Sequence, residues 1–234
     1  MAFKIYLSPS TQQDNKGAGI YGTEESRMNQ LADVVDKVLK RHGLIVFRNS
    51  PNMTLEQVVK DSNSKYPDIH FAIHSNAGGG HGCEVFCHKL GTGSNGEKLA
   101  KILYNKISVI TPSSDRGVKQ GKDFYGTGKH MYELAYTSSP AALIEVAYHD
   151  NLIDVNWIIG NIDRIGMELA KGVLEYAGIT YVPDTVITSP EAHIAGINIA
   201  FDKKYLTDKI YWTNKCNNDS AVKQLFINIS KVGQ

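Results

Sequence analysis

The sequence predicts an α/β protein: a mixed, mostly parallel twisted sheet flanked by helices, with a small helical module at the C-terminal end. Short apolar or alternating runs recur at residues 3–7, 44–47, 68–74, 83–88 and 140–148, and segments with helical spacing stand between them. Alternation of this kind favours parallel strands joined by helices. Two residues suited to chemistry, His74 and Glu145, lie in strand-like runs, and open α/β sheets place reactive groups at strand ends.

Phe3 to Leu7 is the first strand, and Ser8 to Asn15 is a polar loop at its carboxyl end. Thr23 is placed to cap a helix whose apolar positions, Met28, Leu31, Val35, Val38 and Leu39, follow helical spacing. Glu24 and Glu25 fall in its first turn, where the helix dipole favours carboxylates, and periodicity does not choose between them. Leu44 to Phe47 is a second strand. Thr54 and Gln57 form a capping-box opening to a short helix. In the run from Asp68 to His74, Ile69, Phe71 and Ile73 alternate as in a half-buried strand. The glycines at 78–80 end it, so His74 falls at its carboxyl end.

Cys83 to His88 is a further strand, and Ser94 to Ile107 a helix with Leu99, Ile102, Leu103 and Ile107 on its buried side. Residues 112–139 read as one long glycine-rich loop, a length usual for functional segments. Pro140 to Tyr148 is a buried strand around Glu145. His149, Asp150 and Asn151 either support a site or cap the next helix. A long amphipathic helix, marked by Ile162, Ile165, Leu169, Val173 and Leu174, ends at Gly178. The domain boundaries follow: a first domain at 1–178, a linker at 179–189 and a small helical module at 190–234. At about 45 residues the module is marginal as an independent fold, so it is expected to pack on the first domain, on a polymer that it binds or on itself in a homo-oligomer.

Composition narrows the function classes. The chain of 234 residues is 42% hydrophobic and 21% charged with a net charge of +1, which argues against nucleic acid as a partner chosen by bulk electrostatics. No apolar run approaches the ~20 residues needed to span a bilayer. Met1 to Ile5 leads directly into a strand without a signal-peptide pattern, so the expectation is a protein made in the cytoplasm. Cys83 and Cys87 sit four positions apart on one strand, roughly 13 Å when extended and beyond disulfide reach.

Glu145 is the anomaly of its strand. An ionised carboxylate in apolar surroundings needs a partner, a raised pKa or an exit to a cleft, unless it simply ends the strand in a surface hydrogen-bond network. His-Ser-Asn-Ala at 74–77, Arg116-Gly117-Val118-Lys119, and Pro140 through Asn151 with its Ile-Glu-Val core, in that order and after a glutamate-bearing first helix, resemble motifs of the zinc-dependent N-acetylmuramoyl-L-alanine amidases of bacterial autolysins and phage endolysins. The resemblance covers roughly residues 3–178 and rests on three ordered motifs.

The resemblance implies a zinc ion, Zn2+, held by three protein ligands, with Glu145 as the catalytic acid and base. His74 matches one ligand. The family's glutamate precedes an asparagine by four residues, as Glu25 precedes Asn29, which implies Glu25 as the second. The family's first ligand is a histidine in the loop after the first strand. A strict overlay puts Thr11 there, and Gln12 beside it is the residue with an amide oxygen to offer; the other reading of Gln12 is a hydrogen-bonding loop residue. Asn76 and Arg116 are implied as substrate-binding residues, and the tyrosines at 125, 132 and 136 would pack on sugar or peptide or anchor their own loop. The implied substrate is peptidoglycan, cut between N-acetylmuramic acid and L-alanine after lysis or a holin-like breach gives access to the wall. Two other readings stand beside it: a wall-binding protein of this fold with little or no catalysis, and a zinc peptidase acting within the stem peptide.

Overall fold

A computed structural model describes residues 2–112 and 116–183. In chain order its elements are β1 (Lys4–Pro9), α1 (Glu24–Arg41), β2 (Ile45–Arg48), α2 (Leu55–Lys65), β3 (Ile69–Asn76), β4 (Glu84–Cys87), α3 (Asn95–Ser108), β5 (Val118–Gln120), α4 (Tyr132–Tyr136), β6 (Ala141–Tyr148), α5 (Leu152–Gly160) and α6 (Ile162–Tyr176). The strands form a six-stranded sheet in the order β2-β1-β3-β6-β4-β5. It is mixed and mostly parallel, as predicted. Among its pairs the one between β4 and β6 is antiparallel.

Strand alternation sends Ile5, Leu7, Phe71, Ile73, Val85 and Ile144 into the larger core. There α1 and α3 pack against α6. The opposite face carries a smaller cluster in which Ala72, Phe86 and Leu143 meet Met131 and Leu134 around α4. α1 buries Met28, Leu31, Val35, Val38 and Leu39, the spacing of one helical face. Helix starts follow local chemistry. Thr23 accepts a hydrogen bond from Ser26 N at 3.2 Å. Thr54 and Gln57 complete a reciprocal capping box, and Asn151 caps α5 through Ile153 N. α1 and α6 approach closely at Gly166, where a Cβ would lie 2.7 Å from Val34 Cβ.

The stretch at 112–139 departs from the long loop expected of it, since it holds β5 and α4. β5 has three residues and α4 five, too few to repeat a strand or helix period in the sequence. Cys83 and Cys87 are buried and not in a disulfide. Among the described residues no helix is long and apolar enough to cross a membrane. The chain divides into two compact units, Met1–Tyr181 and Val182–Gln234. From residue 184 onward the expected linker and helical module lie outside the described residues.

Candidate functional site

The parallel register of β3 with β6 sets His74 directly opposite Glu145. On the other side of β6, Glu84 of β4 stands opposite the same glutamate. The β3–β6 register shifts between His74 and Asn76; irregularities of this kind re-aim side chains at strand ends. His74 and Glu145 line one cavity of about 220 Å³ together with Thr11, Gln12, Tyr132 and Glu133.

His74 is held by a carboxylate. Its Nδ1 donates to Glu24 Oε1 at 2.9 Å, and the same oxygen accepts from Ser75 N at 3.3 Å. Asn15 Nδ2 donates to Glu24 Oε2 at 2.6 Å. Burial opposes charge on both groups, yet the contact holds the Glu24 carboxyl below its usual range and lifts His74 to about 9. The network continues into the protein. His149 donates from Nε2 to Asn15 Oδ1 at 3.1 Å, while its Nδ1 lies 2.9 Å from Ser75 Oγ, which in turn bonds the Tyr21 hydroxyl at 2.7 Å.

Glu145 is different in kind. Its Oε2 is buried with no hydrogen-bond partner among the described residues. Burial pushes its pKa up to about 8, opposed by His74 and reinforced by the charges of Glu24 and Glu84. Two carboxyls near one histidine are thus pushed in opposite directions, a pattern common at sites of proton transfer.

The structure brings some of the sequence-predicted residues together and separates others. Gln12 lines the cavity beside His74. Glu25 does not meet His74. Its Oε1 accepts from Asn29 Nδ2 at 3.0 Å, so the spacing that singled it out is a contact along the helix itself. Successive helical residues point about 100° apart, and it is Glu24 that faces the strand ends. Asn76 and Arg116 come together through Glu84, donating to its two oxygens at 2.6 and 2.9 Å. Lys119 also pairs with Glu84, and the Arg116 guanidinium lies 5.1 Å from the centroid of the Tyr148 ring. Neither Asn76 nor Arg116 lines the cavity of His74 and Glu145. Sequence reasoning named Glu24 without choosing it over Glu25, and gave no role of their own to Asn15, Ser75 and Glu133. Glu24 shares its only sequence signal, a place in the first helical turn, with Glu25.

The donor chemistry fits zinc at two positions, the imidazole of His74 and the carboxylate of Glu24. The unpartnered Glu145 oxygen completes the polar side of the site. Among the described residues no group of three His, Cys, Asp or Glu side chains is assembled for a metal. Neutral oxygens line the cavity beside His74 on Thr11, Gln12, Tyr125 and Tyr132.

Residues 5–175 match the family described as N-acetylmuramoyl-L-alanine amidase. The chain is 26% identical over 157 residues to the N-acetylmuramoyl-L-alanine amidase CwlM of Bacillus licheniformis, an alignment covering 64% of this chain and 58% of CwlM. Among solved structures it is similar to Cwp6 from Clostridium difficile, with a TM-score of 0.67 and 23% identity over 75% of this chain and 29% of that one. It is also similar to the catalytic domain of CwlV, N-acetylmuramoyl-L-alanine amidase from Bacillus (Paenibacillus) polymyxa var. colistinus, with a TM-score of 0.66 and 21% identity over 76% of this chain and 99% of that one. The match thus spans little more than half of CwlM and under a third of Cwp6. At these identities the structural likenesses establish the fold.

Proposed function

The chain belongs to the N-acetylmuramoyl-L-alanine amidase family, and from that premise we propose that it hydrolyses the amide bond between N-acetylmuramic acid and the L-alanine of the peptidoglycan stem peptide, with zinc as cofactor. The observation that carries the reading is the facing pair His74 and Glu145 in one cavity, the histidine braced by a buried carboxylate and the glutamate left with an unpartnered oxygen.

In this reading Glu24 and His74 hold the metal and Gln12 completes the set through its amide oxygen. Zinc supplies Lewis acidity, polarising a carbonyl and making water acidic enough to be a nucleophile near neutral pH. Asn15 and Ser75 N keep Glu24 oriented, as outer hydrogen bonds do for metal ligands. Glu145 takes the proton of the attacking water and returns it to the leaving amine. With its carboxyl near 8 in the metal-free protein, it is poised close to working pH; a divalent cation nearby would lower that value and ready it as the base. Tyr125 and Tyr132, on the cavity wall, offer faces for the sugar or peptide.

Digestion of purified cell wall, with identification of the amino terminus that appears, tests the proposal. New L-alanine termini are expected. A terminus from within the stem peptide would make the protein a peptidase, and wall binding without new termini in the zinc-loaded protein would make it a binding module of this fold.

Gln12→His is expected to tighten zinc binding by about tenfold and leave the enzyme active, since imidazole is a stronger zinc ligand than an amide oxygen. Competitive titration with a chelator reads the difference, and equal affinities would remove Gln12 from the ligand set. The segment at 190–234 is assigned to attachment or assembly. A chain ending near Gly178 is expected to retain hydrolysis of a small soluble muropeptide, because every group in the proposed site precedes that point. A folded truncation without activity would show that the segment completes the site.

A further inference from the structure

We infer that Glu133 is a positioning residue for this site: anchored by Ser8 and His70, it fixes the α4 wall, and with it Met131 and Tyr132, against the strand ends that carry His74 and Glu145. The inference takes its ligand class, an N-acetylmuramyl peptide, from the function proposed above.

α4 is five residues long, and Met131 at its start makes no side-chain cap. A helix this short does not hold its own conformation. What holds it is a buried polar chain. Ser8 Oγ donates to Glu133 Oε1 at 2.8 Å, and His70 Nε2 lies 3.3 Å from Glu133 Oε2. Burial opposes ionisation of Glu133, but the bonds from His70 and Ser8 and the charge of His74 keep its carboxyl below the usual range. His70 also reaches α2, its Nδ1 lying 2.9 Å from Ser62 Oγ. The His70 ring is stacked on Tyr6 with centroids 5.4 Å apart and planes 10° from parallel. β1, α2, β3 and α4 are thereby joined through Glu133, which itself lines the cavity.

Packing alone does not account for a carboxylate there. Met131 and Leu134 already close the apolar cluster with Ala72, Phe86 and Leu143, and an apolar residue of similar volume commonly replaces a buried ion pair without loss of stability. A carboxylate with both oxygens bonded to two different strands adds direction instead. It sets the rotation of α4, and Met131 and Tyr132 line the same cavity as His74 and Glu145. One residue of rotation, about 100°, would carry Tyr132 off the cavity.

The test uses the full chain loaded with zinc and the soluble probe N-acetylmuramyl-L-alanyl-D-isoglutamine, with Glu133→Gln, Glu133→Leu and, as a variant that spares the carboxylate, Ser8→Ala. KM and the dissociation constant measured by calorimetry in the presence of chelator are expected to rise about tenfold in Glu133→Leu, less in the other two, with kcat and zinc affinity changed by no more than about twofold. Variants that melt earlier with KM and dissociation constant unchanged would reduce Glu133 to a brace for stability and overturn the inference. So would a fall in kcat at constant KM, which would place Glu133 at the reacting atoms. If the unsubstituted protein binds the probe without hydrolysing it, the hydrolytic reading fails while the dissociation constants still decide the role of Glu133. No binding by the unsubstituted protein overturns both.

Discussion

Glu145→Gln is expected to lower turnover on cell wall by about 100- to 10,000-fold, the range associated with losing a positioned acid or base, while zinc stays bound. The amide keeps the shape of the side chain and removes the proton it would carry. The same variant has a stability signature in the metal-free protein. The Glu145 carboxyl is raised from 4.5 to about 8, so between those values the native state keeps a proton that the unfolded chain has lost. Unfolding then releases a proton, and stability falls as pH rises through that window. The amide of the Glu145→Gln variant has no such proton to release. Thermal melts with chelator at pH 5 and pH 8.5 should show a larger fall for the unsubstituted protein than for the variant. The raised His74 value also makes stability fall with pH, and because the Glu145 charge is one of its causes, that fall too is smaller in the variant. Near-normal turnover and matching melts would make Glu145 a structural residue.

Glu24→Ala and His74→Ala are each expected to weaken zinc binding by at least about 100-fold, beyond the usual effect of an outer-sphere substitution, whereas Glu25→Ala should leave affinity within about twofold. The contrast follows from geometry, since Glu24 meets His74 Nδ1 and Glu25 meets Asn29. Chelator competition on the three variants gives the answer. Weak binding by Glu25→Ala with normal binding by Glu24→Ala would reverse the assignment. Full metal content in His74→Ala would move the site off the β3–β6 pair altogether.

How far the sequence could be read depended on the length of each pattern. α1 and α6 repeat their apolar face over several turns, and β3 alternates apolar residues at Ile69, Phe71 and Ile73, so their existence and the placing of His74 near a strand end followed from periodicity. The buried strand around Glu145 was visible as an apolar run holding a single carboxylate. Choosing between Glu24 and Glu25 needed the rotation of a helix about its axis to within one residue, which no apolar pattern in the first turn supplies. Glu133 was hidden more completely. Its partners Ser8 and His70 lie 125 and 63 positions away, and its helix is shorter than two turns. The pairing of Asn76 with Arg116 through Glu84 was likewise a matter of tertiary approach, since a single sequence records residue types and not which acceptor two donors share.

The placing of the strands has a consequence for how the molecule yields. β3 and β6 are the eight-residue strands, and each is bonded on both sides within the sheet, whereas β2 and β5 form its edges with four and three residues. Backbone amides of a central pair exchange with solvent only through the largest openings of a fold, while short helices and edge strands open locally at small cost. Among the described residues, His74 and Glu145 are therefore expected on slowly exchanging strands, whereas α4, too short to hold itself, stays closed only through its buried side-chain bonds. Variation in what the cavity admits can accumulate in the second without loosening the spacing of the first.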